Sequence, residues 1–233
     1  MNSLRMPTGS ARPVRVPLDD VALNGDLQVP KDPIGLVIFV HGSGSSRFSP
    51  RNRYVAGELN KRGLATLLLD LLTEEEHKID EETMELRFDI PLLSSRSTLV
   101  ASWAGKDADL CNLPIGLFGA STGAAAALNT AAALKGEISA VVSRGGRPDL
   151  AEAVLPQVGA PTLLIVGGED DTVLALNRKA LDRLRCTKRL HVVPGATHLF
   201  EERGALEEVA KVAANWFHGH LGAAMGARAR RAG

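Results

Sequence analysis

The stretch that decides the fold is Ile115–Phe118, followed by Gly119-Ala120-Ser121-Thr122-Gly123 and then AAAALNTAAAL at 124–134. A short apolar run, a tight Gly-x-Ser-x-Gly turn and an alanine-rich segment together make a strand–turn–helix unit, with a serine at its sharpest point. Glycines belong there because the serine occupies a strained turn, where side chains two residues away would collide. The alanines let the helix approach the sheet, and its N-terminus lends positive potential to an oxyanion. Glycine and serine frequencies give about 0.13 chance matches in 233 residues, so the flanking strand and helix carry the reading.

Similar apolar runs recur at 35–40, 64–69, 138–142, 162–166 and 190–193. They are unbroken rather than alternating, as befits strands buried on both faces of a parallel sheet. Helical patterns separate them at 50–62, 92–109, 122–135, 149–156, 174–185 and 204–220. In the last of these, Leu206, Val209, Val212, Ala213, Trp216 and Phe217 share one face. Upstream, 14–18 and 21–29 read as an antiparallel pair turning at Asp19-Asp20. The alternation predicts an α/β class, with a mostly parallel sheet of about eight strands and helices on both faces. One domain is expected over 14–221, between a flexible segment 1–13 and a flexible basic tail 222–233 carrying Arg228, Arg230 and Arg231.

Working groups of open α/β sheets collect at the carboxyl ends of the strands. A serine needs an adjacent base there, and that base needs a third group to orient it. After 162–166 comes Gly167-Gly168-Glu169-Asp170-Asp171-Thr172-Val173, and after 190–193 comes Pro194-Gly195-Ala196-Thr197-His198. Ser121, Asp170 and His198 thus follow the order serine, acid, histidine. Of the two neighbouring aspartates only one can face the imidazole, and Asp170, nearer the strand end, is preferred to Asp171. His191 lies within a strand and reads as a packed or edge residue; His41 reads as a loop-fixing residue. The two N–H donors of an oxyanion hole are expected at Thr122, after the serine, and at Ser43, in the turn after 35–40. That turn is not a dinucleotide loop, because Arg47 stands where the third glycine would be and no Walker lysine follows.

Composition narrows the partners. With 27 basic and 27 acidic side chains and a pI near 7.0, the chain lacks the basic surplus of a nucleic-acid binder. No apolar run is long enough to span a bilayer, and no apolar leader opens the sequence, so no membrane partner and a cytoplasmic location are expected. Cys111 and Cys186 cannot build a disulfide framework or a thiolate metal site by themselves. The acidic run 73–85 reads as a solvated loop or helix face, without a histidine pair at ligand spacing. Nine aromatic residues are too few for a stacking platform.

Taken together, these residues resemble the α/β-hydrolase superfamily over almost all of 14–221. The short chain and the run Gly167–Val173 resemble its dienelactone-hydrolase-like branch, some bacterial members of which are fused to phosphoribosyltransferases. The resemblance implies the α/β-hydrolase fold and ester or lactone hydrolysis. Dienelactone hydrolase itself uses a cysteine nucleophile, whereas this turn carries Ser121, which favours serine esterase chemistry. Only about 18 residues, Ser143 to Ala160, occupy the usual place of a lid, too few for a cap domain. The connector from Leu71 to Pro91 is the other long insertion and is positioned to overhang the mouth.

Arg144, just beyond 138–142, has two readings: a bidentate contact to an anionic substrate, or an ion pair with Asp149 or Asp70, the latter the more ordinary. The function expected from the sequence is cleavage of a small carboxylic ester or lactone through an acyl-enzyme, with no metal or organic cofactor. The alternatives are a ligand receptor with slow turnover on the same scaffold, or an acyltransferase.

Overall fold

Apolar runs without alternation become interior strands. In the computed structural model, which describes residues 9–232, β3 (Gly35–Val40), β4 (Leu64–Leu69), β5 (Ile115–Ala120) and β7 (Thr162–Gly167) are buried at every residue. With β1 (Arg12–Pro17), β2 (Ala22–Gln28), β6 (Ile138–Arg144) and β8 (Lys188–Val193) they form one sheet in the order β1-β2-β4-β3-β5-β6-β7-β8. β1 and β2 pair antiparallel, as do β2 and β4; all other pairs are parallel. The eight-stranded, mostly parallel sheet is the one the sequence predicts.

Helices cover both faces. On one side α3 (Ile90–Ala104), α4 (Thr122–Ala133) and α5 (Asp171–Arg183) bury Val100, Ala126 and Ala180 against Leu164 and Leu117. On the other, α1 (Pro50–Asn60) and α6 (Ala205–Ala232) bury Leu59, Val209 and Phe217 against Phe39 and Phe118. Two strand glycines allow α6 to seat this closely. A Cβ on Gly116 would lie 2.7 Å from the Phe217 ring, and one on Gly35 would overlap Leu221. The β6–β7 connection holds only a kinked 3-10 segment, Pro148–Gln157, where a regular helix over 149–156 was expected, and no cap domain. Pro156 inside that segment is incompatible with a continuing α-helix.

Both chain ends differ from expectation. Of the segment 1–13, residues 1–8 lie outside the described residues, and Arg12 and Pro13 already belong to β1. Proline is tolerated because β1 is an edge strand. The stretch 222–233, expected as a frayed tail, continues α6 as far as Ala232. Alanine, methionine and arginine extend an existing helix without a new nucleation step, and Met225 still packs against the core. Arg228 and Arg230 are exposed on it.

Candidate active site

Ser121 joins β5 to α4 at φ 50° and ψ −123°, a left-handed backbone that few non-glycine residues adopt. Three bonds of 3.1 Å hold it: its N–H donates to the Arg144 carbonyl, and its own carbonyl accepts from the N–H groups of Ala124 and Arg147. The flanking glycines are required for a reason more specific than collision with the serine. A Cβ on Gly119 would stand 2.5 Å from Ala124 Cα, and one on Gly123 would overlap the carbonyl oxygens of Val40 and His41. Glycine therefore lets α4 start directly beside the ends of β3 and β5.

At the end of β7, Asp170 caps α5, its Oδ1 accepting from the Val173 N–H at 3.4 Å. Its Oδ2 lies 2.6 Å from His198 Nδ1. Asp171, one residue on, is exposed in the first turn of α5. The two loops meet because Gly167 has no side chain to obstruct the carbonyls of Ala196 and Thr197, and Glu169 N–H donates to the Ala196 carbonyl at 3.0 Å. A carboxylate only accepts hydrogen bonds, so Nδ1 carries a proton and Nε2 is the free imidazole base. The His198 side chain is 40% exposed and Asp170 only 14%, so the base can reach solvent-borne groups while its partner is shielded.

The turn after β3 packs on the elbow. A Cβ on Gly42 would stand 2.9 Å from Ser121 Cβ. His41 is buried and fixes this turn: its Nε2 accepts from the Leu71 N–H at 3.0 Å, which leaves Nδ1 to donate to the Gly42 carbonyl at 2.9 Å. Burial holds its pKa below the ordinary imidazole value. The Ser43 N–H, expected to face an oxyanion, donates to Thr122 Oγ1 at 2.8 Å. The Thr122 N–H opens α4, where no intrahelical acceptor exists.

A cavity of about 250 Å³ adjoins this turn, lined among others by Ser43, Phe48, Leu72, His77 and Leu93. Its outer wall is the connector after β4, where α2 (Glu74–Thr83) sits. Thr73 caps α2 and Glu76 returns the bond, the S/T-x-x-E pattern that could have marked this helix in the sequence. Glu76 also accepts from Arg96 Nη1 and Nη2 at 2.6 and 2.5 Å, and this pairing depresses its pKa. Burial alone would raise the Asp80 carboxyl. The Arg87 N–H at 2.9 Å and its Nε at 2.6 Å outweigh burial and hold that carboxyl below its usual range.

The ion pair expected for Arg144 does not form. Asp149 is taken by Arg147, two residues away, at 2.9 and 2.7 Å, and Asp70 is taken by Arg47. Arg144 is 9% exposed, with Nε and Nη1 buried and unpartnered among the described residues. Desolvation, then the charge of Arg51, lowers its pKa to about 10. His191, as expected, is a packed residue, its Nε2 2.7 Å from Glu208. Among the described residues, no group of three His, Cys, Asp or Glu side chains could hold a metal ion, and no helix is long and apolar enough to cross a membrane.

Known proteins are similar to this chain in sequence or fold. The family model described as the dienelactone hydrolase family matches residues 25–219. A dienelactone hydrolase from Anabaena variabilis is 53% identical, with a TM-score of 0.91 over 92% of this chain and 99% of that one. Est1E from Butyrivibrio proteoclasticus shares the fold at 18% identity, with a TM-score of 0.76 over 92% of this chain and 99% of its own. Proteins from two Mycobacterium tuberculosis strains, provisionally named phosphoribosyl transferases, are 55% identical over 208 residues. That alignment covers 89% of this chain and 46% of theirs, so the chain spans about half the length of the curated relatives it matches.

Proposed function

The chain belongs to the dienelactone hydrolase family, and from that premise we propose that it is a serine hydrolase of small carboxylic esters or lactones. One observation carries the reading: a serine on a strained strand–helix turn shares the sheet's carboxyl edge with a histidine whose Nδ1 is 2.6 Å from an aspartate. In this reading Ser121 Oγ attacks the carbonyl carbon, and His198 Nε2 takes its proton and later gives it to the leaving oxygen. Asp170 keeps Nδ1 protonated and stabilises the imidazolium. The tetrahedral oxyanion accepts from the Thr122 N–H and from the Ser43 N–H, which turns toward it from the Thr122 hydroxyl. Water, activated by the same imidazole, then cleaves the acyl-enzyme. No step draws on a cofactor, and the substrate arrives from solution without nucleic acid or membrane.

The transferase name of the longer relatives is not carried over, since residues 25–219 match a hydrolase family. Hydrolysis of p-nitrophenyl acetate and butyrate by wild type and Ser121→Ala tests the reading. Release of p-nitrophenol should fall by about 10³-fold or more in the variant. Equal release by both proteins would remove Ser121 as nucleophile. Binding of an ester without turnover would favour a receptor, and transfer to an added alcohol in preference to water would favour an acyltransferase.

A further inference from the structure

A charged side chain that is nine-tenths buried and has no partner calls for an explanation, because isolated buried charge is costly. Arg144 is such a side chain, at 9% exposure with Nε and Nη1 unsatisfied. Its position is tied to the proposed nucleophile. Arg144 pairs in register with Ala120 on one side and Ile165 on the other, and its carbonyl holds the Ser121 N–H. By strand alternation its side chain shares a face with Ala140 and Val142, the face covered by α1 and α6. The next residue, Gly145, is placed so that a Cβ there would be 3.4 Å from His198 Cε1.

The surroundings deepen the imbalance. Arg51, in the first turn of α1, is the charge that acts on Arg144, and its own Nε is also buried and unpartnered among the described residues. The carboxylate it meets is Glu201, 3.1 Å from its Nη1, and Glu201 is itself 66% exposed. Glu202 Oε1 accepts from the Thr197 hydroxyl at 2.6 Å, its Oε2 is buried without a hydrogen bond among the described residues, and Asp170 is engaged by His198. The two guanidiniums thus share one ion pair, Arg51–Glu201, and three of their buried nitrogens (Arg144 Nε, Arg144 Nη1 and Arg51 Nε) lack acceptors among the described residues. Positive potential from the α1 N-terminus adds to this surplus.

We propose that Arg144, assisted by Arg51, is a subsite beside Ser121 for a phosphate group carried by the substrate. A phosphate monoester offers three terminal oxygens and close to two negative charges, which match three free donors and the surplus of cationic charge. A single carboxylate has only two oxygens and one charge. The inference rests on the proposed hydrolase reading for its substrate, but the subsite is measurable without turnover.

Thermal unfolding of the full chain, at constant ionic strength, with inorganic phosphate or with acetate, tests it. Phosphate should raise the wild-type Tm by about 3 °C at saturating concentration and acetate by much less. Arg144→Met, freed of an uncompensated charge, should start at or above the wild-type Tm and gain nothing from phosphate. Arg144→Lys keeps the charge without the fork and should retain part of the shift. Phosphate should also inhibit p-nitrophenyl acetate hydrolysis competitively, at least about tenfold more strongly in wild type than in Arg144→Met. A phosphate shift equal in wild type and Arg144→Met, no shift in either, or a larger shift with acetate would each overturn the subsite. Phosphate stabilisation without hydrolysis of any ester would instead defeat the hydrolase reading and leave the subsite standing.

Discussion

His198 Nδ1 and Asp170 Oδ2 are 2.6 Å apart, although 28 residues separate them in the chain. The contact exists because two short loops at the carboxyl edge of β7 and β8 pack backbone to backbone at Gly167. It fixes which nitrogen of the imidazole is free, and so which one can serve Ser121.

Replacing Asp170 with Asn should lower kcat for p-nitrophenyl acetate by about 10³-fold or more, since an amide no longer enforces Nδ1 protonation. Asp171→Asn, on the exposed first turn of α5, should stay within about twofold, apart from a small loss of helix-end charge. Steady-state kinetics on both variants separates the neighbours; a larger effect from Asp171→Asn would reassign the acid.

Gly123→Ala should destabilise the fold by about 3 kcal/mol, because the new Cβ overlaps the carbonyls at the end of β3. Gly219→Ala, on the exposed side of α6 where an added Cβ meets nothing within 4 Å, should stabilise by about 0.5–1 kcal/mol. Urea unfolding midpoints give both signs in one experiment.

Phe217→Ala should cost about 3–5 kcal/mol, since the ring is fully buried against Gly116 of β5. The same urea series measures it. A loss below about 1 kcal/mol would mean that α6 does not seat on the sheet as described.

Stability should fall in acid through two sets of groups. His41 has a native pKa below its unfolded value of about 6.5, so unfolded chains bind the proton first and stability declines as pH drops below that value. Glu76 and Asp80 have depressed native pKa values; their contribution is complete above about pH 4 and disappears as pH falls through those native values. Urea midpoints measured from pH 8 to pH 3 should show both declines, and His41→Gln should flatten the first. An unchanged first limb in that variant would assign it to another group.

Much of this was legible in the sequence because it is local or periodic. The apolar runs, the Gly-x-Ser-x-Gly pattern around Ser121 and the stripe on α6 are each read within a few residues, whereas the sheet order, with β4 between β2 and β3, does not follow from their succession. Glu76 three residues after Thr73 was equally local, but it was submerged in an acidic run that also suits a solvated face. What the sequence withheld depends on three-dimensional competition. Arg144 lies near two acids in the chain's logic, yet Arg147 and Arg47 reach them first. The Ser43 N–H is oriented by a hydroxyl 79 residues away. The choice between Asp170 and Asp171 turns on the direction in which one loop enters α5.

The most direct measurement is labelling of the intact protein with a fluorophosphonate, followed by mass mapping of the adduct. A single adduct on Ser121 is expected, slowed by about 10³-fold or more in His198→Ala and abolished in Ser121→Ala. Labelling that maps to another residue, or that persists in Ser121→Ala, would contradict it.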